Sequence, residues 1–172
     1  MNRAIFLLGM PSSGKSTLGR GLARALYCPF VDMDKRIETR EGLSIPELFN
    51  LKGEEYFRKV ESEVLKAIPT TERQVISTGG GVPCFFDNLA FIQTHGLSIF
   101  LDVPPAVLVQ RMLYTRKDDR PLYRKTSPAE LLATLEATYE KRLPFYRQAH
   151  VTISGETTVD QLLETLRYLE NR

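Results

Sequence analysis

The segment Gly9-Met10-Pro11-Ser12-Ser13-Gly14-Lys15-Ser16 constrains the fold of this chain more than any other. It fits the G-x-x-x-x-G-K-[ST] pattern of a phosphate-binding loop. The apolar run Ile5 to Leu8, ended by Gly9, predicts a buried strand before it. A helix is expected from about Gly14 to Leu26. In that strand–loop–helix context the glycines let backbone N–H groups curl around phosphate oxygens, and the positive end of the helix faces the same anion. Lys15 is expected to reach the β- and γ-phosphates and Ser16 to offer its hydroxyl to magnesium. The expected nucleotide contacts are Gly9, Pro11, Ser12, Ser13, Gly14, Lys15, Ser16 and Thr17. The loop says little about the phosphoryl acceptor, because it serves many unrelated nucleotide-using proteins.

Further strands are predicted at Phe30 to Asp32, Gln74 to Ser77, Ser98 to Val103 and Val151 to Ile153. Residues 34 to 51 suggest short helical pieces, with Pro46 at a helix start. Phe57, Val60, Val64 and Ile68 recur at helical spacing and predict an amphipathic helix over 54–68. Another helix has Pro104 or Pro105 in its first turn. Ser127-Pro128-Ala129-Glu130 has the form of a capping box opening a helix towards Tyr146, with an interruption possible at Pro144. Val159, Leu162, Leu163, Leu166 and Leu169 mark a last amphipathic helix. Strands alternating with helices predict an α/β three-layer sandwich around a five-stranded parallel sheet. Ligands of such sheets bind at the carboxyl ends of the strands.

A chain of 172 residues with 42% apolar content suits one domain, residues 1–172, with a core of about 1–111 and 127–172. The charged, non-periodic stretch 112–126 is expected to be a mobile lid. A net charge of only +2 gives no support to nucleic-acid binding. Cys28 and Cys84 form no CxxC pair, so reduced thiols are expected. Ala4 to Leu8 is too short for a signal sequence, and no stretch approaches the roughly 20 apolar residues of a membrane span. The expectation is a cytoplasmic monomer without a membrane partner.

The acceptor side is less sharply marked. Asp32 and Asp34 flank Met33 at a strand end. If extended geometry persists, both carboxylates point to the same side, near the γ-phosphate. Asp32 is then assigned to magnesium and Asp34 to a substrate hydroxyl, against the plainer alternative of a turn with helix capping. Arg58 could clamp a carboxylate with two parallel hydrogen bonds. From spacing alone, a solvated arginine paired with Glu54 or Glu61 explains it better. Gly79-Gly80-Gly81 removes every side chain at a strand end, which close approach of a ligand to the backbone would explain. Arg116, Lys117, Arg120, Arg124 and Lys125 crowd the lid, and Lys141, Arg142 and Arg147 follow it. Phosphoryl transfer needs such positive groups, although ordinary surface charge accounts for Lys117, Lys125 and Arg147.

Taken in order, these segments resemble the shikimate kinase family. The phosphate loop, Asp32-Met33-Asp34, Gly53-Glu54 with Phe57-Arg58 and Glu61, Thr78-Gly79-Gly80-Gly81, Arg120-Pro121-Leu122 and Arg142-Leu143-Pro144-Phe145-Tyr146 carry the likeness. It runs from about residue 5 to residue 147, and the ordered combination is specific where the phosphate loop alone is not. The resemblance implies a P-loop kinase fold of the nucleoside-monophosphate-kinase type. It also implies transfer of the ATP γ-phosphate to the 3-hydroxyl of shikimate, with Mg2+ as cofactor and ATP as co-substrate.

By that resemblance the catalytic residues are Lys15, Asp34 and Arg120, the last as a lid arginine. Asp34, Arg58, Gly79, Gly80, Gly81 and Arg142 would bind shikimate, with both arginines on its carboxylate. Ser16 and Asp32 would hold magnesium. Arg111 and Arg116 both qualify as the adenine-side arginine, and Arg116 is taken for that role. A second adenine-side arginine has no match in Ile153 to Thr157. Two other functions compete: a kinase for another hydroxy acid such as gluconate, and a catalytically silent regulator that binds nucleotide or shikimate.

Overall fold

A computed structural model of the chain describes residues 3–114 and 127–171. The first half of the chain runs β1 (Ala4–Leu8), α1 (Lys15–Ala25), β2 (Phe30–Asp32), α2 (Met33–Glu41), α3 (Ile45–Lys66) and β3 (Val75–Ser77). A 3-10 turn over Val82–Cys84 leads into α4 (Asn88–His95) and β4 (Gly96–Asp102). Then come α5 (Pro105–Tyr114), α6 (Pro128–Tyr146), β5 (Val151–Ser154) and α7 (Val159–Glu170).

The five strands pair in parallel in the order β2-β3-β1-β4-β5, with β1 at the centre. Phe6 sits opposite Ile76 on one side and Ser98 on the other. All five residues of β1 are buried, as a strand covered on both faces requires. Alternation sorts them: Phe6 and Leu8 join the core under α2, α3, α5 and α6, while Ile5 and Leu7 join the core under α1 and α7. The chain leaves β1 for β2 and β3 on one side and crosses to β4 and β5 on the other. A crevice therefore opens at the carboxyl end of β1.

The helical pieces expected over 34–51 and the helix expected over 54–68 are present as α2 and the two halves of α3, which meet at a kink where Gly53 has φ 80° and ψ 172°. Three expectations are corrected by the structure. α4 has no counterpart in the sequence-derived elements. It is eight residues long, has no side-chain cap and buries only Asn88, Leu89 and Ile92. α6 continues through Pro144 to Tyr146. The proline lies within a turn of the helix end, so its missing N–H removes only one backbone bond there. Finally, residues 112–114, placed in the lid by sequence, belong to α5. The rest of the expected lid, including Arg116, Lys117, Arg120, Arg124 and Lys125, lies outside the described residues. Among the described residues no helix is long and apolar enough to cross a membrane.

Candidate active site

The loop between β1 and α1 owes its shape to backbone conformations that most side chains avoid. Gly14, the residue before α1, has φ 96° and Ser12 has φ 62°. α2, α3, α6 and α7 each begin with a side chain that accepts a backbone N–H. α1 has no such cap and no acidic residue in its first turn. Its leading N–H groups thus have no side-chain cap, as an anion site at a helix start requires. Lys15 is buried beneath the loop, and its Nζ donates to the carbonyls of Gly9 (3.0 Å) and Met10 (2.7 Å).

Asp32 and Asp34 do not share a strand face. The strand ends at Asp32, which caps α2 by accepting the Lys35 N–H at 3.3 Å, and Asp34 lies in the first helical turn. The helix, not an extended chain, sets the separation of the two carboxylates. Asp32 also accepts the Ser16 hydroxyl at 3.0 Å. Ser77, at the end of β3, lies 3.2 Å from the same hydroxyl and was not anticipated from sequence. One carboxylate and two hydroxyls beside a phosphate loop form the hard-oxygen set that suits Mg2+, which takes its remaining ligands from phosphates and water. Among the described residues no group of three or more acidic, histidine or cysteine side chains could hold a metal alone.

The three glycines after β3 are explained by space rather than by backbone conformation. A Cβ on Gly79 would lie 3.2 Å from Asp34 Oδ1 and 2.8 Å from Glu61 Oε1. One on Gly80 would lie 2.7 Å from Arg142 Nη1, and one on Gly81 would collide with the guanidinium of Arg58. The close approach expected of a ligand is thus made first by the protein's own charged groups. Three successive backbone units are the floor on which Asp34, Arg142 and Arg58 meet.

Arg58 is not a solvated helix residue. It pairs with Glu61 at 2.9 Å and with Glu54 at 3.3 Å, and its side chain is 10% exposed. The partners suggested by spacing are therefore real, while the solvent exposure is not. Glu61 is almost fully buried, and burial pushes its carboxyl up to about 7 against the opposing pull of Arg58 and Arg142. Tyr146, wholly buried on α6, donates its hydroxyl to the Gly80 carbonyl at 2.7 Å. Burial pushes that phenol far above its ordinary range. Spacing offered Glu61 as a partner of Arg58 but gave no signal of its burial, and Tyr146 looks like core.

Pro11 to Thr17, Asp32, Asp34, Arg58, Gly79 to Gly81 and Arg142 line one cavity of about 1480 Å3. Arg111 lines it too, donating from Nη1 to the Ser12 carbonyl at 3.1 Å and facing Glu156 at 3.4 Å. Its guanidinium thus borders the phosphate loop. Cys84 forms no disulfide among the described residues, and burial raises its thiol to about 11.

Comparison with known proteins agrees with this geometry. The family model described as shikimate kinase matches residues 11–169. A shikimate kinase of Bacteroides fragilis is 43% identical over 171 residues, covering 94% of this chain and 95% of that protein. The crystal structure of shikimate kinase from Bacteroides thetaiotaomicron superposes with a TM-score of 0.88 at 38% identity, covering 98% of each chain. Shikimate kinase from Acinetobacter baumannii in complex with shikimate gives 0.86 at 32% identity, covering 99% of this chain and 94% of that one. With a phosphate loop, a five-stranded parallel sheet and relatives that match along nearly its whole length, this chain belongs to the shikimate kinase family.

Proposed function

We propose that the protein transfers the γ-phosphoryl group of ATP to the 3-hydroxyl of shikimate, giving shikimate 3-phosphate and ADP for aromatic amino-acid biosynthesis. One observation carries this reading: two arginines and an aspartate converge on the triple-glycine floor beside the phosphate loop. Shikimate is a small anion with several hydroxyls. Arg58 and Arg142 suit its carboxylate, because guanidinium groups bind carboxylates through charge-assisted hydrogen bonds. Asp34 is the group that accepts or orients the attacking hydroxyl proton.

Lys15 and the uncapped N–H groups of α1 hold the phosphates and stabilise charge that grows on them during transfer. Ser16 and Asp32, with Ser77 beside them, hold magnesium. When bound, the ion neutralises part of the phosphate charge and fixes its geometry. Arg120, outside the described residues, is assigned to the transferring group from a lid that begins after α5. The adenine-side contact is assigned to Arg111, with Arg116 retained as an alternative outside the described residues.

A coupled ADP-release assay with a panel of hydroxy acids tests the reading. ADP should form with shikimate and Mg2+ and not with gluconate. Arg58→Ala should raise the KM for shikimate at least tenfold, since losing one charged hydrogen-bonding partner costs about 1.5–3 kcal/mol. Tight shikimate binding without ADP formation would favour a regulator, and turnover of gluconate instead would reassign the acceptor.

A further inference from the structure

Arg58 is fixed within its own plane by hydrogen bonds. Nη1 donates to Glu61 Oε2 at 2.9 Å, while Nε and Nη2 both donate to Glu54 Oε1 at 3.3 Å. Hydrogen bonds of this kind set the edges of a guanidinium, but they leave its tilt weakly determined. Rings around it can set the tilt. The guanidinium carbon lies 6.0 Å from the Phe49 ring centroid, 5.1 Å from Phe57 and 4.3 Å from Phe85. Phe85 is the nearest of the three, and it comes from a different part of the chain than α3.

The segment that delivers Phe85 is held rigidly to the same helix. Gly81 packs directly on the guanidinium. The 3-10 turn that follows is closed by Val82 N–H donating to Gly79 O at 3.1 Å and Cys84 N–H to Gly81 O at 2.9 Å. Asn88 is fully buried and donates from Nδ2 to the Val82 carbonyl at 2.9 Å. Its Oδ1 accepts the hydroxyl of Ser62 at 2.6 Å, and Ser62 lies one turn beyond Arg58 on α3. The chain after the glycines therefore wraps Arg58, with backbone at its edge and an aromatic ring nearby, and is tied back to the helix that carries it.

We propose that Phe85 is a positioning residue for the acceptor's carboxylate, its ring holding the Arg58 guanidinium at the tilt that receives two carboxylate oxygens. A guanidinium is weakly hydrated and stacks on aromatic faces, so the contact survives in a half-buried site. Bidentate recognition tolerates only about 10–20° of misorientation, which makes the tilt matter for binding. The inference rests on the shikimate reading above and adds a residue to it.

Steady-state kinetics of the full chain test it. Phe85→Leu and Phe85→Met both keep an apolar side chain and remove the ring. Each should raise the KM for shikimate about 3- to 30-fold, the range of one cation–π contact. The kcat and the KM for ATP should stay within about twofold of the parent, since no phosphate contact changes. Phe85→Tyr, which keeps the ring, should restore the parent KM. The methyl ester of shikimate, which lacks the anionic group, should bind the parent and the ring-less variants alike as a competitive ligand. An unchanged KM in both ring-less variants overturns the proposal. So does an equal loss of binding for acid and ester, or failure of tyrosine to rescue. If the parent protein itself forms no ADP with shikimate, the functional reading fails first; if it does and the variants match it, only the role of Phe85 falls.

Discussion

At the scale of single residues, Glu61 shows how a buried charge is coupled to its neighbours. Its carboxyl is raised by burial from an ordinary value of 4.5 to about 7, with Arg58, Asp34 and Arg142 around it. A folded-state value above the unfolded one means that the folded chain holds the proton more tightly. The associated stability is complete below about pH 4.5 and is lost as the pH rises through about 7. Glu61→Gln cannot ionise, so it lacks this loss. Between about pH 4.5 and pH 8 its unfolding free energy should gain on the parent's by about 1–3 kcal/mol. Urea midpoints of both proteins across that range check the sign. A variant that loses ground with rising pH would show that the ion pair with Arg58 outweighs desolvation. The same residue marks a limit of sequence reading. Spacing correctly offered Glu61 and Glu54 as partners of Arg58, but periodicity could not show that tertiary packing buries the pair.

At the scale of elements, the break in α3 sets the direction from which Arg58 enters the pocket. Gly53 has φ 80° and ψ 172°, a region essentially closed to other residues. A Cβ there would meet no atom within 4 Å, so any penalty comes from the backbone alone. Gly53→Ala should destabilise the fold by about 1–3 kcal/mol, read as a lower denaturant midpoint at unchanged slope. It should also raise the KM for shikimate, because Glu54 and Arg58 begin the segment after the break. A neutral result would mean that the two halves of α3 can straighten without cost. Element-level features differed in how plainly they were written in the sequence. β1 and the capping box of α6 depend on neighbouring residues, so local pattern suffices. The extended geometry expected across Asp32 and Asp34 failed because Asp32 is itself a helix cap, a choice settled by how α2 packs Met33 and Ile37 into the core.

For the whole molecule, the sheet brings the phosphate loop and the acceptor pocket into one cleft, so ligands that fill it should stabilise the entire fold. ADP with Mg2+ at about 100 times its dissociation constant adds about 2.7 kcal/mol. For a chain of this size that corresponds to a rise in melting temperature of about 5–10 °C. Chelating the metal should remove most of the rise, and Lys15→Ala should lose it while melting without ligand near the parent temperature. A full shift in Lys15→Ala would mean that Lys15 does not hold the phosphates. The sequence by itself determined the nucleotide half of the cleft, because a strand, six loop residues and a helix start are contiguous and their backbone carries the chemistry. The acceptor half was decided only by tertiary structure. Asp34, Arg58, Gly80 and Arg142 are far apart along the chain, and only the parallel sheet and the packing of α3 and α6 bring them together. No local pattern records which charged side chains end up buried side by side, since that depends on which helix faces meet across the folded core.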